Sequence, residues 1–424
     1  MKIKYLIVLI CIILFLCGCN NNASIKPSYS NDKENGNSTP ENNNMKINTT
    51  ESIAKSNIHN KREEIQNRKD KKSSGLLFGL KRTTKNDHEP TEYETIWIAQ
   101  DNENIIVRRG KGFLSVPYGE VFYKIQNSIY DNKKFSTEAD DRSDSASIYN
   151  YEYKFHFIDT VAYPFEDKPN EVYYGDISWG DGEWPFRTTK DEVLFVGNKY
   201  ILINKDYYET GGGTYRASWY SNSLYELKYL GKEYKKNTVD LNNFFDIDKE
   251  KLNNYKNDYN MDLNNDDELK GFITHKQGVS TKNPLVTRKN GHWVVALPLE
   301  ETYTHGGNGS THTIAKDFLE ITDQVSNQLL CYDDLIIPFE TIKKQIPEAR
   351  DAVSSPNGSM LAVLVKDRIN IYLYKAKTDQ LKEPDYSIRI SAEQSVVSNQ
   401  WATNKYVETW DNTLKKYLTT DKIK

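Results

Sequence analysis

The chain has 424 residues, a formal net charge of −4, 12% aromatic residues including 29 Tyr and 7 Trp, and an ordinary 22 Gly and 13 Pro. The absence of a basic excess leaves no electrostatic footprint for nucleic acid, and the Gly and Pro counts exclude a collagen-like or low-complexity chain. The length accommodates two or three domains, and the aromatic content suits strands and a large core despite a hydrophobic fraction of 37%.

The N-terminus carries Lys2 and Lys4 and then the unbroken apolar run Tyr5 to Leu16. That run is too short for a bilayer, which needs about 20 apolar residues, but it has the length of a secretory h-region. It ends in Leu16-Cys17-Gly18-Cys19, which resembles the lipobox of bacterial lipoproteins. The resemblance implies a signal peptide over 1–18, a diacylglycerol on Cys19, and a protein held at the outer side of the cell membrane. Of the four cysteines (Cys11, Cys17, Cys19 and Cys331), two would leave with the signal and one would be lipidated. A mature chain with one thiol has no internal disulfide and must be held by its core. Cys331, in Leu329-Leu330-Cys331-Tyr332, is expected to be buried as a small hydrophobe.

Residues 19–90 are expected to form a lipidated, disordered tether. From Asn20 to about Ser74 the chain is rich in Asn, Ser and Lys and poor in aliphatic and aromatic residues, so it cannot bury enough surface to offset ordering entropy. Lys61 to Lys72 is mixed in charge and is best described as a solvated spacer, with anionic lipid headgroups as the alternative contact.

The folded part is placed at 91–424. Ile96-Trp97-Ile98-Ala99 and Ile105-Ile106-Val107 predict a strand pair across Asp101 to Asn104, and short β-branched or aromatic runs broken by Gly, Asn and Asp continue to the end. Lys249 to Tyr259 and Glu340 to Gln345 are the candidate helices. An internal repeat has an offset of 94: Gly197-Asn198-Lys199-Tyr200-Ile201-Leu202-Ile203 aligns with Gly291-His292-Trp293-Val294-Val295-Ala296-Leu297. Without a gap, Gly212-Gly213 then meets Gly306-Gly307, and Leu224-Tyr225-Glu226-Leu227 meets Phe318-Leu319-Glu320-Ile321. Each copy is expected to be a long hairpin around a Gly-rich loop.

Downstream, Ser355-Pro356-Asn357-Gly358 sets a tight turn before Met360 to Val365 and Ile369 to Tyr374. This segment resembles one blade of the TolB-like and WD40-like β-propellers. The resemblance implies an all-β, propeller-like domain, and at the usual blade length the folded part would hold about six or seven irregular blades. The alternative is a pair of smaller α+β domains with a boundary near 250 to 275.

Motifs that would carry chemistry are few. No His-Glu-x-x-His, paired Cys-x-x-Cys or Gly-x-Ser-x-Gly pattern occurs, so no catalytic residue, metal site or cofactor is assigned. His305 and His312 share the second Gly-rich loop and are read as solvated rather than as zinc ligands. Asp262 to Ile273 resembles an EF-hand calcium loop at its first, third and fifth positions, but Asp267 stands at the turn glycine and Ile273 at the bidentate carboxylate. Gly175 to Phe186 packs Trp179, Trp184, Asp181 and Glu183 between glycines. Trp faces with carboxylates beside them are a recipe for stacking on sugar rings and holding their hydroxyls, so these four are the candidate glycan-binding residues; the alternative is a pair of tryptophans plugging a strand interface. Asp206 to Gly213, followed by Leu241 to Phe245, is similar to a Tyr-rich Thr-Gly-Gly segment in the extracellular domains of anti-sigma-factor sensors that bind lysozyme.

The expected function is that of a membrane-anchored, extracytoplasmic lipoprotein acting as a non-catalytic binding or scaffold module. Its partners would be the membrane, through the lipid on Cys19, and an envelope glycan or another surface protein. The alternatives are a cell-envelope hydrolase or lyase, which would need convergent His and carboxylates in a pocket, and an anti-sigma-sensor-like ligand-binding domain.

Overall fold

The first described element, β1 (Ser74–Arg82), is buried along nearly its whole length, with Leu76, Phe78 and Leu80 on one face and Leu77 on the other. A strand apolar on both faces belongs in the interior of a structure, and β1 accordingly lies between two partners. The body therefore starts at residue 73 and not near 91, and part of the expected tether is core. The computed structural model describes residues 73–421 apart from 85–88, 102–103, 140–147, 168–185, 211–215, 231–237, 245–248, 260, 263–272, 306–309, 323–324, 374–379 and 382, and residues 73–424 form one unit.

Continuing along the chain, β2 (Glu92–Asp101) and β3 (Asn104–Lys111) are the anticipated pair, with Asp101 opposite Asn104. β4 (Leu114–Tyr118) leads into β5 (Val121–Ala139), which pairs along its whole length with β6 (Ile148–Pro164). Next come β7 (Phe186–Val196), β8 (Tyr200–Thr210), β9 (Arg216–Glu226) and β10 (Thr238–Val239). Helix α1 (Lys249–Tyr259) precedes β11 (Met261–Asp262), β12 (Ile273–Val279), β13 (Leu285–Lys289), β14 (His292–His305) and β15 (Thr311–Thr322). The C-terminal third holds α2 (Phe339–Gln345), β16 (Asp351–Ser354), β17 (Met360–Leu364), β18 (Arg368–Leu373), β19 (Tyr386–Arg389), β20 (Ser395–Thr403), α3 (Lys405–Leu414) and β21 (Thr419–Thr420).

The fold is mostly β, in three sheets, none of which closes on itself among the described residues. A five-stranded sheet runs β20-β1-β2-β3-β21, and a four-stranded antiparallel meander runs β16-β17-β18-β19. The meander contains the Ser-Pro-Asn-Gly turn. There Ser355 Oγ accepts the amides of Ser359 and Met360 at 2.9 Å, and Gly358 takes φ +70°, which favours glycine. The largest sheet has twelve strands and continues across residues 250–275, so no domain boundary falls there. It consists of three antiparallel groups, β4-β5-β6, β7-β8-β9-β10 and β15-β14 with β11, β12 and β13, joined by two short parallel junctions.

The expected repeat is visible in these groups. β8-β9 and β14-β15 are its two hairpins, and they meet through their returning strands, with Ala217 opposite Thr311 and Ser218 opposite His312. Each of these partners is the other plus 94. Asn290 and Gly291, both at positive φ, form the two-residue turn from β13 into β14, the geometry that Asn-Gly supplies best.

The main core sits between the three sheets. Leu76 and Phe78 from β1, Ile96 from β2, Phe195 from β7, Trp293 from β14 and Met360 from β17 belong to one cluster, with Phe195 and Trp293 edge to face at 4.8 Å. A buried polar clasp crosses it: Arg288 grips Asp351 through Nε and Nη2 at 2.5 and 3.0 Å, and Trp293 Nε1 donates to Asn399 Oδ1 at 2.6 Å. Thr95 of β2 ties the five-stranded sheet to β4, its hydroxyl accepting the Ser115 amide at 2.8 Å and donating to the Phe113 carbonyl at 3.0 Å. Helix α3, with no counterpart in the sequence reading, is pinned by Asp411, which accepts from Trp97 Nε1 at 3.0 Å and Arg108 Nε at 2.8 Å.

Cys331 is exposed, contrary to expectation. Leu329 and Leu330 supply the burial, and the turn at Ser326 that seats them carries the next residue outward. The Cys331 amide donates to Asn198 Oδ1 at 3.2 Å.

Candidate functional site

The long hairpins β5-β6, β8-β9 and β14-β15 all turn at one end of the twelve-stranded sheet, and at that end two residue rows cross the strands, one on each face. The first row runs Tyr130, Phe157, Thr189, Tyr207 and Trp219, each opposite the next in successive ladders. Residues directly opposite in a ladder share a face, and aromatic pairs so placed stack across strands. Tyr130 and Phe157 are parallel to within 10° at 6.0 Å, and Tyr207 and Trp219 to within 9° at 5.1 Å. Phe157 and Thr189 form a buried floor, while Trp219 is 37% exposed.

Two residues along the same face lies a charged cluster. Lys205 Nζ is 2.9 Å from Asp159 Oδ1 and 3.0 Å from Asp191 Oδ1. Asp191 Oδ2 also accepts the Thr160 amide at 3.0 Å. This cluster has a structural cause: the parallel ladder of β6 and β7 ends at Ile158 opposite Lys190, the strands part, and the Asp191 carboxylate replaces the lost backbone partner. Burial, reinforced by Asp159, pushes the Asp191 carboxyl up to about 6, although Lys205 and the Thr160 amide pull the other way. Burial works against the Lys205 ammonium, yet the two carboxylates outweigh it and hold its pKa above the usual lysine range. Nearby, the Tyr93 hydroxyl accepts the Val193 amide at 3.0 Å, and burial pushes its pKa up.

The second parallel junction is filled in the same way. Where β9 leaves β15, Tyr220 OH donates to Glu300 Oε1 at 2.7 Å and Asn283 Nδ2 donates to the same oxygen at 2.9 Å. Burial first, and then Glu300, raises the Tyr220 pKa.

The row on the opposite face is polar. Register places His156, Thr188, Tyr208, Ser218, His312 and Tyr303 in one line across six strands. Ser218 Oγ and His312 Nδ1 are 2.9 Å apart, and Tyr303 OH donates to Glu301 at 2.6 Å. Among the described residues no group of three or more His, Cys, Asp or Glu is placed to hold a metal ion.

Of the residues singled out from sequence, Tyr207 and Tyr208 fall in these rows, and so does His312, which was expected to be solvated and instead meets Ser218. Trp179, Asp181, Glu183 and Trp184 lie within 168–185, outside the described residues, as do Cys19 and positions 263–272 of the calcium-like loop. His292, adjacent to the repeat glycine, donates through Nδ1 to the Asp333 carbonyl at 2.8 Å and so works in the fold. Asp159, Asp191, Lys205, Tyr207 and Trp219 were not anticipated as a group. The available signal was the period of two, which puts Lys205 with Tyr207 and Thr189 with Asp191 on single faces; the pairing that joins these strands is not local.

No protein-family model, curated protein or solved structure matches the chain.

Proposed function

We propose that the protein is a lipid-anchored, extracytoplasmic binding or scaffold module that acts without catalysis, tethered through Cys19 and presenting the hairpin end of its large sheet to a ligand. The observation that carries the binding role is the stacked pair of Tyr207 and Trp219, parallel to within 9° with Trp219 37% exposed, on the same twelve-stranded sheet that buries Trp293 completely. Leaving a tryptophan half in water forgoes its burial, and rings so placed are the usual anchors of recognition. The anchoring role rests on the lipobox resemblance alone. The propeller-like reading of the body rests on the β16-β19 meander, which has the four antiparallel strands of a blade and carries the Ser-Pro-Asn-Gly turn.

The test is retention of the detergent-solubilised full chain on purified cell-wall material. Trp219→Ala should lose retention while melting within a few degrees of the parent. Equal retention by the variant would overturn the assignment of this face.

A hydrolase is the second reading, favoured by one observation, the 2.9 Å approach of Ser218 Oγ to His312 Nδ1. It predicts ester turnover that vanishes in Ser218→Ala and survives in Trp219→Ala.

A further inference from the structure

We infer that the Tyr207–Trp219 pair and the polar side chains one step along its face form a subsite for a sugar ring. The inference rests on the binding role proposed above and names the class of ligand.

A pyranose has an apolar C–H face and a rim of hydroxyls, so its site needs a flat aromatic surface with hydrogen-bonding groups at the edge. Both are present. Tyr207 stacks within 9° of parallel on one face of Trp219 and braces it, so the 37% of Trp219 left in solvent supplies the aromatic surface. Two residues along the same strands, a distance of about 7 Å, Lys205 stands opposite Ser221, with Asp159 beside it. Buried Asp191 holds the Lys205 ammonium in place at 3.0 Å, so the polar edge is preorganised.

Size and charge argue against larger partners. Two rings bounded by Thr189, Ser221 and the charged cluster, at about 150 to 250 Å² per aromatic side chain, fall below the roughly 800 Å² per side of a stable protein interface. A lipid would find charge where it needs an apolar wall. Nucleic acid would meet a chain of net charge −4.

The experiment uses the full chain in detergent and purified cell-wall material in three forms: untreated, oxidised with periodate to cleave vicinal diols, and digested with protease. Retention should survive protease and fall after periodate. Trp219→Ala should weaken retention about tenfold, near the upper end of what one aromatic contact contributes, and Trp219→Phe should weaken it less. Trp219-dependent retention that resists periodate would overturn the sugar assignment and leave the binding role standing. Retention indifferent to Trp219 in every form would overturn both.

Discussion

Ser218 Oγ and His312 Nδ1 approach to 2.9 Å across a sequence separation of 94, which is also the offset of the internal repeat. The two copies of the hairpin therefore meet through equivalent positions, side by side and in the same direction. Such a contact is short by necessity. Twisted strands that belong to separate antiparallel groups stay in register for only a few residues, here two at β9-β15 and five at β6-β7. Where they part, backbone groups lose their ladder partners, and side chains fill the forks, buried Asp191 at one and the half-buried Glu300 cluster at the other.

Gly197 and Gly291 occupy one repeat position and should resist substitution for different reasons. A Cβ at Gly197 would run into the Leu329 carbonyl oxygen, and backbone cannot step aside cheaply. At Gly291 the conformation is at fault, with φ +82°, and the Leu335 side chain is close as well. Each alanine variant should lose about 1 to 3 kcal/mol in denaturant unfolding. A value below 0.5 kcal/mol at Gly197 would contradict the packing described there.

Asp191 should give the stability curve an acid-side feature. Its folded pKa, about 6, lies above the ordinary 3.8, so the fold favours its neutral form; that contribution is fully present below the ordinary value and is lost as pH rises through 6. Asp191→Asn cannot titrate. Between roughly pH 7 and pH 4 the parent should therefore gain on the variant by up to about 3 kcal/mol. Parallel curves for parent and variant would show that Asp191 is no longer perturbed in solution.

Asp411 behaves in the opposite sense. Burial alone would raise its pKa, but the hydrogen bonds from Arg108 and Trp97 together hold it below the usual carboxylate range. Its contribution is present above the unfolded value and is lost as pH falls through the folded one. Asp411→Ala leaves Arg108 and the Trp97 indole without the carboxylate they share, and should cost about 2 to 4 kcal/mol. Hydrogen exchange should report the loss first in α3; unchanged protection there would argue that packing alone seats the helix.

Cys19→Ser should release the protein from membranes. The substitution removes the thiol that the proposed lipid would occupy, and a protein that still sediments with membranes in high salt would overturn the anchoring proposal.

Elements were legible in the sequence wherever the signal was local. The Ser-Pro-Asn-Gly turn and the β2-β3 pair appear as read, because a turn needs only its own residues. The repeat was legible as two hairpins but not as partners, since nothing in either copy states that Ser218 will find His312. β1 was assigned to the tether because its Gly75-Leu76-Leu77-Phe78-Gly79 follows a long polar stretch. Its place in the core depends on β20, more than 300 residues away. The candidate site was missed for the same reason: Asp159, Asp191 and Lys205 are unremarkable in their own strands and become a cluster only through the β6-β7 junction.

The placement of β1 also dictates an order of events during synthesis. Its neighbour β2 emerges at once, but the other flank waits for Ser395 to Thr403, more than 300 residues later. Until then a strongly apolar strand has one open edge, and the five-stranded sheet cannot close. Pairings this distant in sequence are slow, and a half-built sheet of this kind invites pairing with the wrong chain. Residues 395–420, which carry β20, Asp411 and β21, thus act as a latch for this sheet. A ribosome that stops short of them leaves a chain with most of its strands and no finished fold.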